Sequence, residues 1–234
     1  TGLELRDADN LRVPPYFGLV IVRALVLVAA TVSNFWILRE LPLTITSAIM
    51  FSTPVIVCFL SVTILRERVG LWRWCAILLG FLGVLIVIRP FGAAFHPMML
   101  MAVMNAVFLA IYSLLTRRLA GRVSTDVMQF WMGLTGTVIL LPPALWLWQP
   151  PTSATEWVVL ISLGVFAWAG HQWLTTAHRF ATANTLMPFT YSFLLYLTIL
   201  SFLIFGHMPS IWTLIGAGVI MMSGLIIWHR EGQK

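Results

Sequence analysis

The chain has 234 residues, of which 60% are apolar and 9% charged, with a mean hydropathy of +0.94 and a net charge of +6. About a quarter of a soluble domain is charged, so this composition excludes one. Apolar runs of about 20 residues also exclude a membrane β-barrel, and in lipid that leaves helices.

Residues 1–15 are polar and end in Pro14-Pro15, a stop before a helix. The apolar pattern then predicts eight spans, at about 17–38, 43–65, 70–89, 97–116, 125–148, 156–178, 183–206 and 209–228, joined by short connectors. Cys58 and Cys75 lie inside apolar runs, which argues against both a disulfide framework and a thiolate metal site. Most of the tryptophans, Trp146, Trp148, Trp157, Trp212 and Trp228 among them, fall near span ends and read as an interfacial belt.

The basic residues read as topology signals, not as a nucleic-acid footprint, because they sit in connectors between spans. With the N-terminal loop cytoplasmic, one side collects Arg6, Arg12, Arg66, Arg68, Arg73, Arg117, Arg118, Arg122, Arg179, Arg230 and Lys234. The other side has Arg39 and Arg89, and Arg23 is left inside a span. This bias predicts a multi-pass protein of a bacterial inner membrane with both ends of the chain cytoplasmic.

Residues 44–90 return in outline at 184–230, a shift of 140 that places Ser52 on Ser192, Ser61 on Ser201, Trp72 on Trp212 and Leu85-Ile86 on Leu225-Ile226. The charged elbow at Glu67 then corresponds to His207, on the opposite side of the membrane, so the two copies are inverted. Inverted repeats are a mark of secondary transporters. The division expected is residues 1–90 for a first repeat with three spans and 91–234 for a second with five. By that symmetry two spans are missing before residue 1, and the intact protein is an all-α integral membrane protein of ten helices.

The motifs STPVIV, LRERVGLWRW, GFLGVLIVIRP, YSLLTRRLA, AGHQWLTTAHRFA, LMPFTYSFLLY and FGHMPSIWTLIGAGVIMMSGL resemble drug/metabolite transporters of the EamA type. The branch they resemble includes bacterial riboflavin and S-adenosylmethionine transporters. The resemblance implies ten helices in two inverted five-helix repeats, and a structural role for Glu67 at the first elbow, capping the next helix. Two departures fall in the second hairpin. His207 stands where the family usually has an acid, and Leu194 stands where the proline equivalent to Pro54 would be, with Pro188 six residues earlier.

Arg23 is the most informative candidate, since a charge within a span costs roughly 2.5 to 3.5 kcal/mol on insertion scales. It either faces a cavity, where it can hold a substrate carboxylate or phosphate or meet a helix C-terminus, or it snorkels to the surface. His171 and Gln172, with Trp168 one turn before, lie slightly past the middle of the sixth span, suited to substrate contact, proton coupling or interhelical bonding. Tyr191 and Ser192 follow Pro188, and Ser52 precedes Pro54. Both prolines free a carbonyl and bend a helix, which would open the bottom of a cavity. Asn105 and Tyr112, seven apart, share one face of the fourth span.

These features point to a secondary-active transporter working by alternating access on a small metabolite, such as a vitamin, a nucleoside-like compound or an amino-acid derivative. No cofactor, metal or nucleic acid is implied, and a homodimer is compatible with the sequence. The alternatives are a non-transporting membrane subunit and, last, an intramembrane lipid enzyme. The eight acidic residues all lie in loops or at span ends, which is poor equipment for catalysis within the membrane.

Overall fold

The computed structural model describes residues 16–64, 71–89, 95–180, 186, 196, 199–200, 202–204, 206 and 209–231. Among these residues eight helices are defined: α1 (Phe17–Glu40), α2 (Leu43–Met50), α3 (Thr53–Ile64), α4 (Leu71–Ile88), α5 (Met98–Leu119), α6 (Thr125–Trp146), α7 (Ala154–Phe180) and α8 (Ile211–Glu231). Four of them, α1, α5, α6 and α7, are long and apolar enough to cross a membrane. Most of the expected span at 183–206 falls outside the described residues, as do Glu67, Pro188, Tyr191, Ser192 and His207.

Local chemistry sets the helix starts. Ser124 accepts a hydrogen bond from the Val127 amide (3.3 Å) and so caps α6, whose first turn also carries Asp126 at the positive end of the helix dipole. Thr152, Ser153 and Glu156 cap the start of α7. The Glu156 amide donates to Ser153 Oγ (3.2 Å), and the Glu156 carboxylate accepts from the Thr152 amide (2.7 Å). Ser210 caps α8 by accepting from the Thr213 amide (3.1 Å). The tight turn between α5 and α6 needs Gly121 at φ +77°, a conformation that side chains resist.

The span expected at 43–65 is two helices, broken at Phe51–Ser52. Pro54 has no amide to offer the carbonyl four residues back, that of Met50. The Thr53 hydroxyl takes its place, donating to Met50 O at 2.6 Å, while the Ser52 amide donates to Ile49 O in a tighter turn. Ser52 Oγ, beside the break, is buried and has no hydrogen-bond partner.

The chain divides into two compact units, residues 1–25 with 115–181 and residues 26–114 with 182–234. In the second unit α4 and α8 pack most closely. An added Cβ on Gly83 would lie 2.9 Å from the Gly216 carbonyl, and one on Gly216 would lie 2.7 Å from the Gly83 carbonyl. Ser223 Oγ donates to Ala76 O at 2.5 Å, and Gly80 abuts Val55 and Ser223. Residue numbers rise along α4 as those of their partners fall along α8, so the helices cross antiparallel. Ile37, Ile49, Phe51, Val84, Met99, Ala102 and Ile220 complete this unit's core.

The first unit has a smaller apolar core of Val20, Leu119, Val123, Val127 and Met128, with the Phe17 and Trp131 rings edge to face at 4.8 Å. Long stretches of α6 and α7 are exposed, including Val158, Leu160, Ile161, Phe166 and Trp173. In a bilayer lipid can cover such faces at no hydrophobic cost.

Candidate functional site

Arg23 sits on the buried face of α1, between Val20 and Leu27, and is 0% exposed. A snorkelling arginine keeps its head in water, so that reading fails. The guanidinium instead reaches three other helices or their starts. Its Nε donates to Thr116 Oγ1 at the end of α5 (2.8 Å), and its terminal nitrogens donate to Thr175 Oγ1 of α7 (3.0 Å) and to the Met128 carbonyl of α6 (3.3 Å). A rigid fork of donors can serve several acceptors at once. Gln129, also buried, adds a longer bond from Nε2 to Thr175 Oγ1 (3.4 Å).

Next to this clasp, in the same unit, an open groove of about 470 Å³ lies between α6 and α7. Asp126, Gln129, Gly133 and Leu134 line it from α6, at helical spacing, and Trp168 and Gln172 line it from α7. Gln172 Nε2 donates to Asp126 Oδ1 (2.9 Å). A carboxylate oxygen only accepts, which fixes the orientation of that amide. Gln129 Oε1 and Gln172 Oε1 are both buried without a partner. Trp168 is largely exposed at the groove, and Gly133 leaves its floor open, since a Cβ there would meet nothing within 4 Å.

His171 is half-buried on α7 between Gly170 and Gln172. His178, two turns on, is buried and donates from Nδ1 to the Leu174 carbonyl (2.7 Å), which fixes its tautomer as a helix-bound structural one.

The second unit holds a separate polar pair. Asn105 Nδ2 donates to Asn34 Oδ1 of α1 at 3.4 Å, and Asn105 Oδ1 is buried with no partner. Tyr112 is buried on the same helix. Thus Trp168, Gln172 and Arg23 lie in the first unit, whereas Ser52, Pro54, Asn105 and Tyr112 lie in the second.

Sequence reasoning passed over Asn34, Thr116, Asp126, Gln129 and Thr175. Helical spacing carried a signal for each of them: Thr116 follows Tyr112 by four, Thr175 follows His171 by four, Gln129 follows Asp126 by three and Asn34 follows Arg23 by eleven.

A family model described as the EamA-like transporter family matches residues 5–89 and 96–228. The riboflavin transporter of Vibrio cholerae serotype O1 is 34% identical over 80% of this chain, and the match spans 63% of that protein. The S-adenosylmethionine uptake transporter of Rickettsia bellii is 29% identical over 90% of this chain and 72% of its own length. A pseudopaline exporter of Pseudomonas aeruginosa is 24% identical over 91% and 75%. One protein of known crystal structure shares the fold, with a TM-score of 0.64 at 23% identity, over 93% of this chain and 77% of that one. With a family of transporters matched along nearly its whole length, and not a family of enzymes, this chain belongs to the EamA-like transporter family and is a multi-pass, all-helical membrane protein.

Proposed function

We propose that this protein is a secondary carrier of a small metabolite, built from two inverted repeats that divide at about residue 90 and alternate in access to a central cavity. The α4–α8 crossing carries the reading. Under the 140-residue shift, the contact of Ala76 with Ser223 becomes Gly216 with Gly83, and that of Gly80 with Ser223 becomes Ile220 with Gly83; all four contacts occur. Arg89 stacks on Trp212 at 5.1 Å, and the shifted pair, His229 and Trp72, lines a single groove. Contacts that exchange in this way between antiparallel helices imply a two-fold axis across them. An axis of that kind lies in the membrane plane, which supports inverted repeats.

In this reading the eight spans belong to a ten-helix protein of the bacterial inner membrane with both ends of this chain cytoplasmic, as the arginine bias indicates. Arg23 and the groove residues Trp168 and Gln172, with His171 beside them, form one part of the substrate path. Ser52, Asn105 and Tyr112 belong to another in this reading, together with Pro188, Tyr191 and Ser192. Glu67 and His207 shape the two elbows.

Similarity to the riboflavin and S-adenosylmethionine transporters makes those two compounds the first to try. Full-length protein in proteoliposomes is expected to carry one of them, or a related metabolite, with countertransport of unlabelled compound accelerating labelled uptake. Absence of flux and of exchange across a broad metabolite panel, with and without a proton gradient, overturns the proposal.

A further inference from the structure

The start of α1 is joined to the turn between α5 and α6 at three depths. At the surface the Arg122 guanidinium stands over the Tyr16 ring, 5.5 Å from its centroid, and Tyr16 holds φ +63°, a conformation that is strained for an aromatic residue. One turn further in, Val20, Leu119, Val123 and Val127 pack together, each of them buried. Beyond them lies the Arg23 clasp on Thr116, Met128 and Thr175. Because α1 and α6 begin at this end and α5 and α7 finish there, the clasp gathers four helix ends behind an apolar seal. The three oxygens it binds are neutral, so water can replace each bond when the seal parts, and the guanidinium then sheds the desolvation it suffers when enclosed. The freed threonine hydroxyls can return to carbonyls of their own helices. Release also lets the Tyr16 backbone relax.

We propose that the first two turns of α1 form a gate at this end of the substrate path, with Arg23 as its bolt, bonded to the three oxygens when the gate is shut and hydrated when it is open. The gate rests on the carrier reading for its purpose but not for its movement, since it opens with or without a substrate. The bolt favours the shut state through its several bonds and the open state through its charge, and substitution separates the two. Lysine keeps the charge and loses bonds, which favours opening. Methionine loses both and prefers the apolar seal to water, which favours closure. An arginine that only holds the fold together predicts the opposite order, because methionine then loosens this end more than lysine does.

The test is the rate at which a cysteine in the seal, Val127→Cys, reacts with a membrane-impermeant maleimide in right-side-out and in inverted vesicles. The full-length protein is used, with its native cysteines, Cys58 and Cys75 among them, replaced by alanine. Arg23→Lys is expected to raise the rate about tenfold, the worth of one hydrogen bond to a charged group, and from one side of the membrane only. Arg23→Met is expected to react no faster than the parent, even with an unfolding midpoint below that of Arg23→Lys. Arg122→Gln, which unties the Tyr16 ring, should raise the rate about threefold, as for an exposed cation–π contact. That variant carries the test if Arg23→Lys does not fold, and no rise in it overturns the proposal. Equal rates in the parent and the Arg23 variants, a faster reaction in Arg23→Met than in Arg23→Lys, or equal reaction from both sides overturns it as well. The expected order of rates without flux in proteoliposomes leaves the gate standing and the carrier reading refuted, and flux without that order does the reverse.

Discussion

Around α4 and α8 the protein is held together by missing side chains, at Gly80, Gly83 and Gly216, whereas around α6 and α7 it is held by one long side chain, Arg23. The difference follows from lipid as a solvent. Hydrocarbon tails are as apolar as leucine, so helices gain little by hiding leucines from them and associate through close packing or through polar bonds. Backbone contact between glycines permits a single geometry and makes a rigid pair. A guanidinium among hydroxyls is different, because threonine hydroxyls rotate and can return to carbonyls of their own helix. The first arrangement suits scaffold and the second suits parts that rearrange.

Substitutions can break that comparison, and the largest effect is expected at the glycines. Gly216→Val places a Cβ 2.7 Å from the Gly83 carbonyl and 2.5 Å from a Val87 methyl. Overpacking against backbone should cost about 3 kcal/mol, read as a lowered unfolding midpoint in detergent. Gly164→Ala is the control: a Cβ there meets nothing within 4 Å, and helix propensity predicts a gain of up to about 1 kcal/mol. Equal behaviour of the two variants would remove the distinction between the regions.

Arg23→Met comes next. It deletes the bonds to Thr116, Met128 and Thr175, but the threonines can turn to their own helices, so the expected loss is about 2 kcal/mol and not the sum of the charged bonds. Arg23→Lys keeps the charge but not the fork, and should recover about half of that loss. A lysine variant as stable as wild type would show that charge alone, not the planar arrangement, holds the clasp.

Thr53→Val should cost about 1 kcal/mol by uncapping the Met50 carbonyl. In a Pro54→Ala background residue 54 regains an amide for that carbonyl, so the cost of Thr53→Val should nearly vanish. A double-mutant cycle with no coupling would reject this account of the α2–α3 break. The smallest effect is expected from Asn105→Leu, about 0.6 kcal/mol, because its bond to Asn34 is long and interhelical bonds in membranes average that value.

How much was legible depends on the range of the interaction. The bend near Pro54 was readable because a missing amide acts within one turn. Arg23 stood out because any charge within a span does. Its partners did not, since Thr116 and Thr175 are small, weakly polar and common in membrane helices, and nothing in either helix says which helix it will face. Gln129 and Asp126 were overlooked on a helix where no apolar pattern separates one face from another.

By itself, then, the sequence determined the solvent, the helical class and the family, because apolar length and the placement of arginine and proline act locally or against the bilayer. Which neutral oxygens receive the Arg23 guanidinium, where two glutamine carbonyls are left without donors, and that Gly83 meets Gly216, were decided only by tertiary packing. Those contacts join residues 93 to 152 positions apart around Arg23, and at such separations a pattern within one helix carries no information about its neighbour.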